Sequence, residues 1–227
     1  MKPARKIVQR SPHRAVGAVH AAYLQPEPIE WESHWEKAFI HLALPCPVIA
    51  RIQFQPFTLT YTDGTGKARK YTPDFLVHLS GGDRLVVEVK TTKFVEKNHE
   101  KFDKSTALLR DSGIQYYVIT EKQLDLHRGD RANVWRRYAR LAVPTDQLDV
   151  AMSMVRDNQA GQTIQSLLDA GVAMQTLYHL LGRRVLCAAP DLHTTPTTTI
   201  TLSQKELSDE RLQFDHWFDC SAWGTDV

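Results

Sequence analysis

Two carboxylates and a lysine carry the chemistry of this sequence. Asp74 stands in Tyr71-Thr72-Pro73-Asp74-Phe75, and Glu88 and Lys90 lie two residues apart in Val86-Val87-Glu88-Val89-Lys90. A strand sends successive side chains to opposite faces. Leu85, Val87 and Val89 therefore face one way, and Val86, Glu88 and Lys90 the other. Between the two runs, Ser80-Gly81-Gly82-Asp83 is a hairpin signal. Folding back there sets Asp74 beside Glu88 and Lys90. Two acids and an ammonium on one patch suit metal-dependent phosphodiester hydrolysis. The acids offer hard oxygens to a divalent ion, and the ammonium sits near the attacking water or the scissile phosphate.

A sheet and its flanking elements must hold those groups. Residues 1–28 read as a basic arm punctuated by Pro26 and Pro28. Lys2, Arg5, Lys6, Arg10 and Arg14 precede the first acid, Glu27, a pattern that suits a phosphate backbone or a solvated tail. From 29 to 44 the pattern is helical, with Trp31, Trp35, Phe39 and Leu42 as its apolar stripe and Pro45 and Pro47 beyond it. Residues 49–61 alternate like a strand, and Asp63-Gly64-Thr65-Gly66 makes a turn. Further strands are predicted at 69–79 and 84–90. A Lys-rich helix over 92–111 follows, with Val95, Phe102 and Leu109 inward and Gly113 as its stop. Residues 114–120 are nearly apolar, which predicts a central strand. A short helix over 131–142, with Val134, Trp135, Tyr138 and Leu141 inward, closes the segment 29–142. The result is a mixed α/β core around one sheet.

Past Pro144 the texture changes. Helical patterns cover 145–157, 161–170 and 172–182, with Gly171 and Gly182 as stops. Short strands are predicted at 184–188 and 198–202. Three helices and a two-stranded ribbon over 143–202 describe a winged-helix-like domain, a repertoire of DNA or protein contact surfaces. In the tail, 203–227, Ser203-Gln204-Lys205-Glu206 has the form of a capping box. Leu207, Phe214, Trp217 and Phe218 share a helical face there. They describe a terminal helix docked on its own domain, or one that docks a partner.

The chain has 227 residues, 42% hydrophobic and 24% charged, the make-up of an ordinary globular protein of one large or two small domains. A net charge of +2 does not by itself announce a nucleic-acid binder. The basic N-terminus has no apolar stretch behind it, which argues against a secretory signal, and no run is long enough to span a membrane. Cys46, Cys187 and Cys220 are far apart and odd in number. They make neither a zinc pattern nor a disulfide framework, and the simplest inference is a reducing cytoplasm.

Asp74, Glu88 and Lys90 match the Pro-Asp…(Asp/Glu)-x-Lys signature of restriction-endonuclease-like nucleases. The match extends to Ser33-His34-Trp35-Glu36-Lys37-Ala38-Phe39-Ile40, Gln53-Phe54-Gln55-Pro56-Phe57, Tyr71-Thr72-Pro73-Asp74-Phe75 and Val87-Glu88-Val89-Lys90-Thr91. Together these resemble the TnsA family, endonuclease subunits of heteromeric cut-and-paste transposases. Ser11-Pro12-His13-Arg14-Ala15-Val16-Gly17 is similar to that family's N-terminal segment, and the resemblance is dense over residues 10–140. It implies a restriction-endonuclease-like core followed by a helical, winged-helix-like domain. It makes Glu36, Asp74, Glu88 and Lys90 the active-site residues, with Glu32 as a rival to Glu36. Asp74 and Glu88 would hold Mg²⁺ or Mn²⁺ with the Val89 carbonyl, and Glu36 would complete the shell. Lys90 would position the nucleophilic water. Gln55 either orients substrate or ends a strand. The implied substrate is double-stranded DNA at transposon ends, cut at the 5′ ends. The implied partners are a DDE-type, TnsB-like transposase subunit and an AAA+, TnsC-like ATPase. Competing readings are a stand-alone restriction or repair endonuclease of the same fold, a non-catalytic DNA-binding or assembly module, and a winged-helix regulator with an unrelated N-terminal half.

Overall fold

A computed structural model describes residues 15–203 and 209–225. The basic cluster from Lys2 to Arg14 and most of the Ser203–Glu206 capping box lie outside the described residues. The described residues form two compact units, one of residues 15–40, 48–125 and 209–225, the other of 41–47 and 126–203.

The first unit opens with β1 (Gly17–Val19) paired to β2 (Ile29–Trp31), so part of the expected arm is a hairpin. Gln25 is buried between these strands in sequence, and its amide exchanges hydrogen bonds with the backbone of Ile52. α1 (His34–Ala43) is shorter than the predicted helix because Ile29–Trp31 is extended. It buries Glu36, Ala38, Phe39, Ile40, Leu42 and Ala43, so the predicted Phe39 and Leu42 face the core while Trp35 is only half-buried. Next come β3 (Ile49–Phe54), β4 (Leu59–Thr62), β5 (Ala68–Tyr71), β6 (Phe75–Leu79) and β7 (Arg84–Val89). Two predicted strands are thus each broken in two. Gln55, at φ 41°, and Pro56 interrupt 49–61, while Pro73, which has no N–H to give a ladder, interrupts 69–79. The freed pieces β4 and β5 pair as a separate two-stranded ribbon.

The main sheet has the order β3-β6-β7-β8, where β8 is Gln115–Ile119. β3, β6 and β7 run antiparallel, and β8 is parallel to β7. The β6–β7 turn falls at the predicted Gly-Gly pair, with Gly82 at φ 101°, a conformation that glycine adopts without a Cβ penalty. The β7-to-β8 crossover carries α2 (Thr92–Val95), one 3₁₀ turn at Glu96–Asn98 and α3 (His99–Arg110). α3 buries Phe102, Ser105 and Leu109, two of them predicted.

Cross-strand register sorts the sheet into rows. Leu76, Val86 and Tyr116 form one, and it packs with Phe102 and Leu109 of α3. Phe75, Val87 and Tyr117 form the other. Phe39 of α1 meets Phe75 at 5.0 Å, and Phe214 of the C-terminal helix meets Tyr117 at 5.1 Å. β8 is therefore an edge strand and not the central one its composition predicts. A helix on each face buries an apolar strand as fully as two strand neighbours do. Its outer edge is partly closed by Trp223, whose N–H donates to the Tyr116 carbonyl at 2.7 Å.

In the second unit α4 (Leu126–Tyr138) starts earlier than predicted. It buries Arg128, Gly129, Ala132 and Trp135, and Leu141 is exposed beyond its end. α5 (Thr145–Asp157) has the predicted bounds. β9 (Gln162–Thr163), α6 (Ile164–Asp169), α7 (Met174–Gly182), β10 (Leu186–Cys187) and β11 (Thr199–Leu202) follow. The strands make one antiparallel sheet, β10-β11-β9. β9 has no apolar alternation to announce it. Gly182 is the last residue of α7, and a Cβ there would lie 2.3 Å from the Trp135 carbonyl oxygen. Its smallness serves the close approach of α7 to α4 as well as the helix end.

α8 (Glu210–Phe218) returns to the first unit, capped by Asp209 at 2.9 Å from the Arg211 N–H. Arg211 grips Asp83 through two hydrogen bonds of 2.6 and 2.8 Å, and Glu210 accepts the Gly81 N–H. The terminal helix is thus docked on the hairpin that sets the register of β6 and β7.

Candidate active site

Asp74 sits one residue before β6, where the ladder with β7 ends. Its carbonyl accepts the Gln55 N–H at 2.8 Å, and its carboxylate takes the Val89 N–H at 2.9 Å. The side chain thus serves a main-chain donor for which Pro73 leaves no regular strand. Since Phe75 pairs with Val87, extending the register by one residue sets Asp74 opposite Glu88, as the sequence predicts.

Glu88 is 1% exposed. A buried carboxylate must be paired and hydrogen-bonded to remain charged. Tyr71 donates to its Oε2 at 2.5 Å, and Tyr71 and Tyr116 hydroxyls share a bond of 2.7 Å. Lys101 reaches Oε1 at 2.9 Å from α3, and Lys90 approaches the same oxygen at 3.4 Å. Tyr71, Lys101 and Tyr116 are the residues that sequence reasoning missed. Tyr71 opens the very motif that holds Asp74, but nothing in the spacing of Lys101 marks it.

The charges act on one another. Burial pushes the Asp74 carboxyl well above the usual range, and repulsion from Glu88 and Glu36 adds to it. Lys90 and the Val89 N–H oppose the rise. Burial alone would lower the Lys90 pKa, but Glu88, Asp74 and Glu36 together raise it. Burial likewise raises Glu36, against the hydrogen bonds it accepts. Asp74 thus feels Glu88, Glu36 and Lys90, and Lys90 feels all three carboxylates.

Glu36 is not at the edge of the α1 stripe, as its step from Trp35 suggests, but within it, 8% exposed. Its Oε1 accepts from the Ser33 hydroxyl at 2.8 Å, its Oε2 from the Glu32 N–H at 2.7 Å, and its own N–H donates to Ser33 Oγ at 3.1 Å. Ser33-x-x-Glu36 therefore works as a variant capping box. The rival Glu32 supplies only its backbone to this arrangement and a like charge beside it. Gln55 is buried, and its Oε1 has no hydrogen-bond partner. Among the described residues no group of three or more His, Cys, Asp or Glu side chains is gathered closely enough to hold a metal ion. The site is a pair of carboxylates with two lysines, and Glu36 engaged at its helix terminus nearby.

A mixed sheet with a helical crossover, an acid at the head of β6 and an acid–lysine couple at the end of β7 fits a restriction-endonuclease-like core. Residues 46–121 match the family model of the TnsA-like endonuclease N-terminal domain. That segment is accordingly similar to a TnsA-like endonuclease domain, a likeness that points to a nuclease related to transposition. It holds Asp74, Glu88, Lys90, Tyr71, Lys101 and Tyr116, and it begins after Glu36. No curated protein matches the chain. Among the described residues no helix is long and apolar enough to cross a membrane.

Proposed function

We propose that the protein is the metal-dependent DNA endonuclease subunit of a heteromeric cut-and-paste transposase, cutting at the 5′ ends of the element. The observation that carries this reading is the meeting of Asp74, Glu88 and Lys90 at the joined ends of β6 and β7, inside the matched segment.

The donor set suits Mg²⁺, with Mn²⁺ as a substitute. Asp74 and Glu88 are hard oxygen ligands, and the repulsion that raises Asp74 is what a dication relieves. Magnesium keeps several of its waters and takes few protein carboxylates, which fits so sparse a pair. Asp74 and Glu88 would hold the ion with the Val89 carbonyl, and Glu36 would complete the shell from α1 by giving up one of the bonds its oxygens accept from Ser33 and Glu32. When bound, the ion polarises the scissile phosphate and eases deprotonation of a water. Lys90 keeps its proton, orients the attacking water and offsets charge building on the phosphate.

The second unit runs α5, β9, α6, α7, β10, β11. That order of helices and strands supports a winged-helix-like domain. With double-stranded transposon-end DNA as substrate and little net charge to find it, the subunit works with a DDE-type, TnsB-like transposase and an AAA+, TnsC-like ATPase, in the cytoplasm.

The test is metal-dependent nicking of transposon-end DNA with the partner subunits present. Asp74→Ala and Lys90→Ala are each expected to lower cleavage by about 10²-fold or more, the scale of lost acid–base or electrostatic groups. Wild-type cleavage by both variants would sink the assignment. Efficient cutting of plasmid DNA without partners would instead favour a stand-alone nuclease of the same fold.

A further inference from the structure

Lys101 has no place in the chemistry outlined above, yet it makes the shortest ion pair to Glu88. Its Nζ lies 2.9 Å from Oε1, against 3.4 Å for Lys90. Its side chain is 17% exposed, and the ammonium sits 4.4 Å from the Tyr71 ring centroid and 4.8 Å from that of Phe102. A surface lysine does not hold such a pose without cause, because fixing its four-carbon stem costs rotamer freedom. Two aromatic faces and one carboxylate oxygen fix it here. Tyr71, held in turn by Tyr116, occupies the other oxygen of Glu88. The carboxylate is clamped from both sides by groups on β5 and α3, elements that carry no other part of the site.

We infer that Lys101 is a positioning residue, which fixes the carboxylate of Glu88 so that it presents an oxygen toward Asp74 as a ligand for a divalent cation. This rests on the nuclease reading of the site. Oε1 takes both ammoniums, whereas Oε2 takes the Tyr71 hydroxyl and has a second lone pair, so the bond to Lys101 at Oε1 and a cation at Oε2 are compatible. Outer groups that orient a metal ligand are typically worth 10–100-fold in affinity or activity. Lys101 acts through Glu88 and does not itself meet the scissile phosphate, which separates its role from that of Lys90.

The experiment compares wild type, Lys101→Met and Lys101→Arg in the full chain. Mn²⁺ binding is measured by calorimetry, thermal melting by circular dichroism, and nicking with partner subunits by single-turnover rates. Lys101→Met is expected to bind Mn²⁺ about 10–100-fold more weakly and to nick more slowly by a similar factor at fixed Mn²⁺. Raising Mn²⁺ should recover much of that rate. Lys101→Arg keeps a cation at Oε1 and should recover most of the affinity. If Lys101→Met melts lower but binds Mn²⁺ as wild type does, Lys101 serves only the fold and the inference is overturned. Unchanged binding together with unchanged melting overturns it equally. If wild type itself neither binds Mn²⁺ nor nicks, the nuclease reading fails and this inference with it. A wild type that binds and nicks beside an indifferent Lys101→Met overturns the inference alone.

Discussion

Asp74 carries a cost that its position makes unavoidable. Burial and two neighbouring carboxylates raise its pKa, so the folded protein takes up a proton there more readily than the unfolded chain does. Stability from that uptake is fully present below the ordinary carboxyl value of 3.8 and is lost as pH rises through the raised folded value. Asp74→Asn keeps an oxygen for the Val89 N–H and removes the charge. It should melt higher than wild type at neutral pH, by roughly 2–4 °C for each kcal/mol of repulsion relieved. The gain should shrink as pH falls toward 3.8, and cleavage should be lost throughout. Thermal scans across pH check the sign: a variant that melts lower at neutral pH contradicts it. Glu36 invites a different comparison, since it is both a helix cap and the acid singled out by resemblance. Glu36→Ala should lose about 0.5–2 kcal/mol, the usual value of a cap. Glu36→Gln should keep most of the cap and separate the two roles, because a nicking defect in a normally stable Gln variant assigns the carboxylate to catalysis. Denaturant melts and nicking rates on the same preparations supply both numbers.

Among the elements, the sheet was largely legible and its breaks were not. Alternation in 84–90 and the Gly-Gly pair gave β7 and its hairpin, and through them the pairing of Asp74 with Glu88. Alternation also ran straight through Gln55-Pro56 and Thr72-Pro73, where the backbone leaves the sheet and makes the β4–β5 ribbon. Hydrophobic pattern reports burial, not pairing partners, which is also why edge strand β8 read as central. Tyr71 and Lys101 escaped because the network that binds them to Glu88 joins residues 13 and 17 positions away, and no local period encodes it. In the second unit α7 lies along α4, with Gly182 against the Trp135 backbone. Gly182→Ala pushes a methyl group into a backbone atom that cannot swing aside. It should destabilise that unit by about 1–3 kcal/mol, readable as a lowered urea midpoint, while leaving Mn²⁺ binding at the nuclease site as in wild type.

At the scale of the molecule, the boundary at residue 142 read from the sequence differs from the division by packing. α4 packs with the helices after it, and α8 belongs with the nuclease sheet. The amphipathic tail was visible, with Phe214, Trp217 and Phe218 on one face, but a face does not name what covers it. Phe214 and Phe218 are fully buried, 4.8 Å apart, and Phe218 meets Phe39 at 5.3 Å. Phe214→Ala should therefore cost about 3–5 kcal/mol, and a fragment of residues 15–142 should fail to give a cooperative melt. A sharp transition from that fragment would show that α8 is dispensable to the sheet.

The return of α8 also sets an order of events on the ribosome. Most of the second unit, from Leu126 onward, is threaded in sequence between β8 and α8 of the first. Domains fold as units while the chain is still emerging. The inserted unit can thus close on itself early, whereas the first unit stays unfinished until Phe218 has been translated. A nascent chain therefore holds Asp74, Glu88, Lys90 and Lys101 well before it holds Phe214 and Phe218, the aromatic wedge that seats the sheet beneath them, and the packing of the sheet is completed only after the helical unit has emerged.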